Sequence, residues 1–213
     1  MKKIGIISFV IILSLIMILF VYNYCTKQDH SFSTYTLTNE EINLIQNGDI
    51  ILRHGYGLAS DIIVKTLNEK YDISHCAIIC KNGNQINVIH SVSQSLSDFD
   101  GLQSQTLKRF ICDSKENSII VVRFKNQKNN GNEVLAKRAA YYLSKKLPFD
   151  NDFNLNDSSR IYCTELIWRV IKDGYNLDIL KNQQRAEDKR NNYRFSFLWD
   201  TTYFQIVINH HLR

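Results

Sequence analysis

An apolar run lies near the N-terminus, and the longer stretch that follows it contains both apolar and polar residues. None of residues 4–22 carries a charged side chain. At about 1.5 Å per residue, a helix of that length spans a hydrocarbon core of roughly 30 Å. The pattern therefore predicts an N-terminal transmembrane helix. Lys2 and Lys3 precede it, which predicts a cytoplasmic N-terminus with the rest of the chain outside the cytoplasm.

A cleaved signal peptide is the competing interpretation of this run. Such peptides have a shorter apolar core and small residues before the cleavage site. Here the run ends in Val21-Tyr22-Asn23-Tyr24-Cys25, which contains no small-x-small pattern. We therefore expect an uncleaved anchor over residues 1–29. A single domain over residues 30–213 follows and is long enough to bury one hydrophobic core.

In this domain, segments with helical spacing of apolar residues are interspersed with short β-type runs. The spacing predicts helices over residues 37–46, 58–67, 133–146 and 162–173. Apolar, β-branched runs predict strands over residues 50–53, 74–80, 85–92, 118–125 and 202–209. The mixture predicts an α+β fold, in which helices pack against a mostly antiparallel sheet.

One hairpin places two histidines in relation to each other. Lys81-Asn82-Gly83-Asn84 is typical of a tight turn between two strands. With Asn82 and Gly83 at the turn centre, His75 opposes His90 on one face of the sheet. Facing imidazoles suit a base and the group that orients it. The alternative is a structural pair, since a histidine on an apolar face is often a core residue bonded to a backbone carbonyl.

Charge and cysteine usage narrow the range of partners and cofactors. The net charge is +5, but basic and acidic residues are mixed along the chain. Because no basic stripe with interleaved aromatic residues occurs, we expect no nucleic-acid partner. The sequence lacks a Cys-x-x-Cys motif and zinc-like histidine spacing, so we predict no metal or cofactor.

The chain has five cysteines, namely Cys25, Cys76, Cys80, Cys112 and Cys163. Because five is an odd number, at least one of these thiols has no intramolecular disulfide.

Cys163 stands where the fourth predicted helix begins. Ser158 and Ser159 lie just upstream and are residue types that cap helices. Unpaired backbone N–H groups and the helix dipole lower the pKa of a thiol at such a position. Cys163 is therefore a candidate nucleophile. The alternative is a small buried apolar residue at the base of a helix.

Four motifs carry a resemblance to a known family. In chain order they are Gly48-Asp49-Ile50-Ile51, Ser74-His75-Cys76-Ala77-Ile78, Val88-Ile89-His90-Ser91 and Tyr162-Cys163-Thr164-Glu165-Leu166. In these motifs the chain resembles the circularly permuted papain-like hydrolases of the YiiX/YaeF type, within the wider NlpC-type superfamily. The histidine precedes the cysteine here, which is the permuted order.

The resemblance implies a cysteine hydrolase with three catalytic residues. Cys163 is the implied nucleophile, His75 the general base and His90 the third polar group, where members of this branch often carry glutamate. The implied substrates are amides or esters, such as cell-wall peptides or acylated amines. Acyl transfer on lipids and a non-catalytic binding module remain as alternatives.

Three further residues are predicted to shape the site. Tyr162 and Glu165 flank the cysteine. Glu165 is either a residue that orders the preceding loop or a solvent-facing helix residue. Asp152 lies in Asp150-Asn151-Asp152-Phe153, which resembles an aspartate–aromatic stretch upstream of the family's cysteine.

Overall fold

The structure is a computed structural model that describes residues 2–31, 33–94, 97, 99–125, 131–181 and 193–212. The side chains of residues 2–6, 10, 23–31, 131 and 132 are not among those described. Within these ranges the helices are α1 (Lys2–Ser31), α2 (Asn39–Leu44), α3 (Leu58–Leu67), α4 (Leu107–Cys112), α5 (Gly131–Lys145) and α6 (Cys163–Tyr175). The strands are β1 (Ile50–Arg53), β2 (His75–Asn82), β3 (Gln85–Val92), β4 (Gly101–Thr106), β5 (Ile120–Phe124) and β6 (Phe204–Asn209).

The six described strands form one antiparallel sheet in the order β4-β3-β2-β1-β5-β6. Alternate residues of each strand face opposite sides of the sheet. One face, with Ile50, Leu52 and Ile78, packs against apolar residues of α5 and α6. The other face, with Ile51 and Ile79, packs against α4 and the segment around α2. The predicted α+β architecture is confirmed.

Local sequence explains where two of the helices begin. Thr38 caps α2, because its hydroxyl accepts the Glu41 N–H at 3.2 Å while the Glu41 carboxylate accepts the Thr38 N–H at 2.8 Å. α6 begins at Cys163 with Tyr162 as its N-cap, so neither Ser158 nor Ser159 is the cap. Four fully buried residues bind α6 to the core: Leu166, Ile167, Val170 and Ile171.

Several predicted boundaries differ from the structure. α6 continues past Gly174 to Tyr175 and ends at Asn176, which adopts the left-handed conformation with φ 51°. The tight turn has Gly83 and Asn84 at its centre, because Asn82 pairs with Gln85. β4 and α4 were not predicted, since the Gly-Leu-Gln-Ser-Gln-Thr run of β4 lacks alternating apolar residues.

The environment of His210 also differs from expectation. The sequence position of His210 favoured a frayed end, but its side chain is 1% exposed. His210 Nε2 lies 2.8 Å from Glu41 Oε1, and Nδ1 is hydrogen bonded to the Tyr35 hydroxyl. These contacts join the chain end to the segment that follows α1. Because these partners lie within the protein, we assign His210 a structural role.

α1 exposes its described apolar side chains, among them Ile7 at 59% and Phe20 at 71%. Within the part of the chain that the structure describes, no helix has both the length and the apolar character needed to cross a bilayer. The predicted anchor stays a prediction.

Candidate active site at a fork between two strands

The candidate site lies where β2 and β3 separate. Their ladder ends at the Ile78–Ile89 pair, although β2 begins at His75 and β3 continues to Val92. The residues beyond that pair form two unzipped arms, which we call the fork. One arm carries His75 and Cys76, and the other carries His90 and Ser91.

The chain that leads into α6 is held against both arms of the fork. The Ser91 hydroxyl donates to the carbonyl of Ile161 at 2.6 Å. On the other arm, Cys76 belongs to the apolar cluster against which Cys163 packs. Side chains of both arms therefore position the start of α6.

The two predicted histidines are brought together. His75 Nε2 and His90 Nδ1 are 2.7 Å apart, and the ring centroids are 5.0 Å apart. The predicted register was wrong by two residues, because the turn centre is Gly83-Asn84. A shift of two positions keeps both side chains on the same face. The predicted pairing of His75 with His90 thus survives as a diagonal contact.

Phe110 and Arg53 surround this pair. The Phe110 ring contacts both imidazoles, with centroid distances of 5.9 Å to His75 and 5.7 Å to His90. The Arg53 guanidinium lies 4.1 Å from the centroid of the same ring and donates to the Phe110 carbonyl at 2.8 Å. These contacts hold the histidines between an aromatic ring and a cation.

Both imidazoles are neutral at neutral pH in this environment. Burial, and then the neighbouring His90 and the positive charge of Arg53, hold the pKa of His75 well below its ordinary value. Burial and Arg53 lower the pKa of His90 to about 3. If His75 donates its Nε2 proton to His90, its Nδ1 is free to accept a proton.

Cys163 occupies the first position of α6 and is half-buried. Its pKa is lowered, chiefly by the hydrogen bond from the Cys76 side chain and also by the backbone N–H groups of Cys76, Cys163 and Thr164. The predicted lowering of its pKa at a helix start thus has a specific set of donors. Burial opposes the lowering without reversing it.

Between the described residues Cys163 and His75, the structure contains no hydrogen bond. Cys163 packs against the cluster that contains Cys76, on the α6 face of the sheet. The His75 ring instead packs against Phe110 of the cluster on the other face. Catalytic contacts often tighten only when substrate binds, and proton transfer between the two residues requires such a rearrangement.

The loop before Cys163 is fixed by Glu165 and Arg169. The Glu165 side chain is fully buried, which excludes a solvent-facing position. Its carboxylate accepts the Tyr162 N–H at 3.3 Å and pairs with Arg169 at 2.5 Å. Arg169 also donates to the carbonyls of Asp157 at 2.7 Å and Ser158 at 3.4 Å. Glu165 thus orders the loop, one of the two roles that the sequence left open.

The aspartate–aromatic stretch contains a buried residue that sequence reasoning missed. Asp152 has a side chain 68% exposed and pairs with Arg160 at 2.9 Å. Asp150 is fully buried and accepts the N–H of Asp152 at 3.0 Å and that of Asn154 at 2.6 Å. Phe153 packs against the buried Tyr162 ring at 5.2 Å. The Asp-x-Asp-Phe motif was the available signal, but it did not distinguish the two aspartates.

Among the described residues, no group of three or more His, Cys, Asp or Glu side chains is arranged to hold a metal ion. The described cysteines Cys76, Cys80, Cys112 and Cys163 are all free thiols.

A helix that begins at a cysteine and packs on an antiparallel sheet, with the histidine earlier in the chain, is the arrangement of the permuted papain-like fold. The family model for the permuted papain-like amidases, YaeF/YiiX, C92 family, matches residues 44–202. The chain belongs to this family.

A solved structure shows the same fold. The crystal structure of the metalloprotein yiiX from Escherichia coli O157:H7 matches with a TM-score of 0.58 and 20% sequence identity. The match covers 77% of this chain and 97% of that chain. A comparison with the curated proteins gave no match.

Proposed function

We propose that this protein is a cysteine hydrolase of the amidase or peptidase type, which cleaves an amide or ester through an acyl-enzyme on Cys163. The observation that carries the proposal is the Cys163 thiol at the first position of α6, with a lowered pKa, on a helix that packs against β2, the strand of His75. His75 is neutral and bonded to His90.

These groups support a two-stage reaction. The Cys163 sulfur attacks the carbonyl carbon while His75 accepts the thiol proton, and His75 then gives that proton to the leaving nitrogen or oxygen. Water attacks the resulting thioester with His75 as base, which releases the acid and restores the thiol. His90 keeps His75 in the tautomer that this sequence of transfers needs.

The oxyanion has candidate donors in the first turn of α6. The backbone N–H groups of Cys163 and Thr164 help to lower the pKa of the Cys163 thiol. They belong to the unpaired N–H groups at a helix start. When the sulfur bonds to carbon, these donors become available to the developing negative oxygen beside it.

The same proposal includes a membrane anchor with the domain outside the cytoplasm. Its support comes from the sequence, because residues 4–22 lack charge and Lys2 and Lys3 precede them. Cell-envelope peptides are then the accessible amide substrates.

One contact favours a second candidate, a lipid acyl hydrolase or acyltransferase on the same fold. The Tyr22 hydroxyl of α1 is hydrogen bonded to Asp61 of α3, which also bonds His54 at 2.9 Å. His54 follows Arg53, the β1 partner of His75. The apolar helix therefore joins the domain at the end of the sheet that carries the histidines, where a lipid substrate would be close.

Covalent trapping separates these candidates. The full chain, in detergent, is incubated with peptidoglycan fragments or with acyl esters, and the mass added to the Cys163 peptide is measured. A peptide-derived acyl adduct supports the amidase, and a fatty-acyl adduct supports the lipid enzyme. Cys112→Ala is the matched control, because Cys112 is a free thiol outside the fork. Full hydrolytic activity in Cys163→Ala would reject cysteine catalysis.

A further inference from the structure

Phe153 is a partly exposed aromatic residue next to the start of α6 that the mechanism above does not use. It is 38% exposed, and its neighbours Asp152 and Asn154 are polar and exposed. Its ring centroid lies 5.2 Å from that of Tyr162, the N-cap residue that directly precedes Cys163. A solvent-accessible ring therefore packs on the residue next to the proposed nucleophile.

Backbone hydrogen bonds hold the segment before Phe153 beside the segment before Cys163. The N–H of Ile161 donates to the carbonyl of Pro148 at 3.0 Å, and the N–H of Asp150 donates to the carbonyl of Ile161 at 3.4 Å. Residues 148–150 thus run alongside the residue two positions before Cys163. The contact between the Phe153 and Tyr162 rings continues this pairing of the two segments.

Phe153 adopts the left-handed backbone conformation, with φ 53°. Glycine and asparagine reach this region readily, whereas a bulky side chain does so only at a cost. The buried Asp150 carboxylate maintains the conformation, because its oxygens accept the N–H of Asp152 at 3.0 Å and that of Asn154 at 2.6 Å. Strained residues of this kind cluster at functional sites. An aromatic residue that is both strained and partly exposed therefore indicates a role in ligand binding.

Two further rings extend the apolar surface around Phe153. Its ring centroid is 5.1 Å from that of Tyr193 and 6.3 Å from that of Phe149, and both of these residues are half-buried. We call Phe149, Phe153 and Tyr193 the aromatic wall. Aromatic rings offer a large rigid area to an apolar group. Because the wall packs on the residue before Cys163, an apolar group of a substrate held at Cys163 can reach it.

We propose that Phe153 is a specificity-determining residue whose ring binds the apolar acyl group of the substrate while Cys163 attacks the carbonyl. The proposal rests on the proposed function of Cys163 as the nucleophile. It deepens that function, because it names an apolar acyl group as the part of the substrate that the protein recognises. Contact with the ring removes the acyl chain from water, which favours substrates with longer apolar chains.

The test compares the alkylation of Cys163 by N-butyl iodoacetamide with its alkylation by iodoacetamide, in the full chain, under reducing conditions and in one detergent. Both rate constants are read from the mass of the Cys163 peptide, and their ratio measures the preference for an apolar chain attached to the sulfur. Phe153→Ala is expected to lower the ratio about tenfold, the lower end of the effect of one methylene in an apolar pocket.

Two variants are matched controls for the loss of the ring. Phe153→Leu keeps an apolar side chain at the same position and is expected to retain most of the preference. Tyr141→Ala removes an aromatic ring of comparable exposure, 46%, from α5 and is expected to leave the ratio unchanged. A general effect on the packing or reactivity of the protein would change both rate constants together and leave their ratio as it is.

The result that overturns the proposal is a Phe153→Ala ratio equal to that of Tyr141→Ala. If Phe153→Ala does not fold, Phe153→Asn suits the left-handed backbone without an apolar ring, and its ratio decides in the same way. Alkylation requires no turnover, so this proposal can fail while Cys163 remains the nucleophile. Hydrolysis retained by Cys163→Ala would defeat the proposed function whatever the alkylation ratio shows.

Discussion

His75 Nε2 lies 2.7 Å from Nδ1 of His90, although the hairpin register leaves the two residues two positions out of alignment. The contact forms beyond the end of the β2–β3 ladder, where the strands part. Separation of the strands thus creates the space in which the two imidazoles meet and pack against Phe110.

Substitution of the two histidines should reduce activity unequally. His75→Ala removes the proposed base and is expected to lower kcat/KM by about 10²- to 10⁴-fold. His90→Ala removes one orienting hydrogen bond of about 1 kcal/mol, and a loss nearer tenfold is expected. Hydrolysis of a chromogenic acyl ester measures both, with His211→Ala as a half-buried control histidine. A larger loss in His90→Ala than in His75→Ala would contradict the assigned roles.

The pH dependence of thiol reactivity should not depend on His75. The pKa of His75 is held well below its ordinary value, so the ring is neutral near pH 7 and provides no cation for the thiolate. Hydrogen bonds instead lower the pKa of Cys163, so the thiolate persists to a lower pH than the thiolate of an ordinary cysteine. In His75→Ala we expect the alkylation midpoint of Cys163 to be unchanged while hydrolysis is lost. A midpoint raised by a full unit would show a thiolate–imidazolium pair instead.

Ser91 should affect both stability and the site. Ser91→Ala removes the 2.6 Å hydrogen bond to Ile161 and leaves a buried carbonyl less satisfied. The expected cost is about 1–3 kcal/mol in the free energy of unfolding, with a lower kcat because the segment before α6 loses its hydrogen bond to β3. Denaturant unfolding and ester hydrolysis measure the two effects. The matched control is Ser144→Ala, whose hydroxyl bonds only a local carbonyl of an exposed helix turn; equal behaviour of the two variants would refute the role of Ser91.

Much of the fold was predictable because it depends on local patterns. Apolar spacing predicted Ile50–Arg53, Leu58–Leu67 and Gln85–Val92 with their observed bounds. The hairpin turn was less certain, since an Asn-Gly-Asn segment can be centred in two ways. The histidine pairing was still predictable, because both choices keep His75 and His90 on one face.

The surroundings of the site were not predictable, because they arise from contacts between distant segments. Phe110 belongs to α4, which the sequence pattern did not reveal, and Arg53 reaches it from β1. The burial of Glu165 depends on Arg169 and on carbonyls of the preceding loop. Cys76 was read only as a strand residue, since its place in the apolar cluster against which Cys163 packs depends on how α6 packs on the sheet.

The ion pair between Glu165 and Arg169 should be a major source of local stability. Arg169→Met leaves the fully buried Glu165 carboxylate without its cation and is expected to cost about 3–5 kcal/mol in the free energy of unfolding. Lys172→Met is the control on the same helix, because its pair with Asp178 is at the surface and is expected to contribute about 0–1 kcal/mol. Denaturant unfolding monitored by fluorescence compares them. Similar costs in the two variants would show that Glu165 does not depend on Arg169.

The nucleophilic role of Cys163 is tested most directly by intact-mass analysis of the full chain during turnover of an activated acyl ester. The account predicts one acyl group, located on the Cys163 peptide, which disappears as product accumulates. It also predicts neither adduct nor turnover in Cys163→Ala. Turnover that continues in Cys163→Ala, or an acyl group located on another residue, would contradict it.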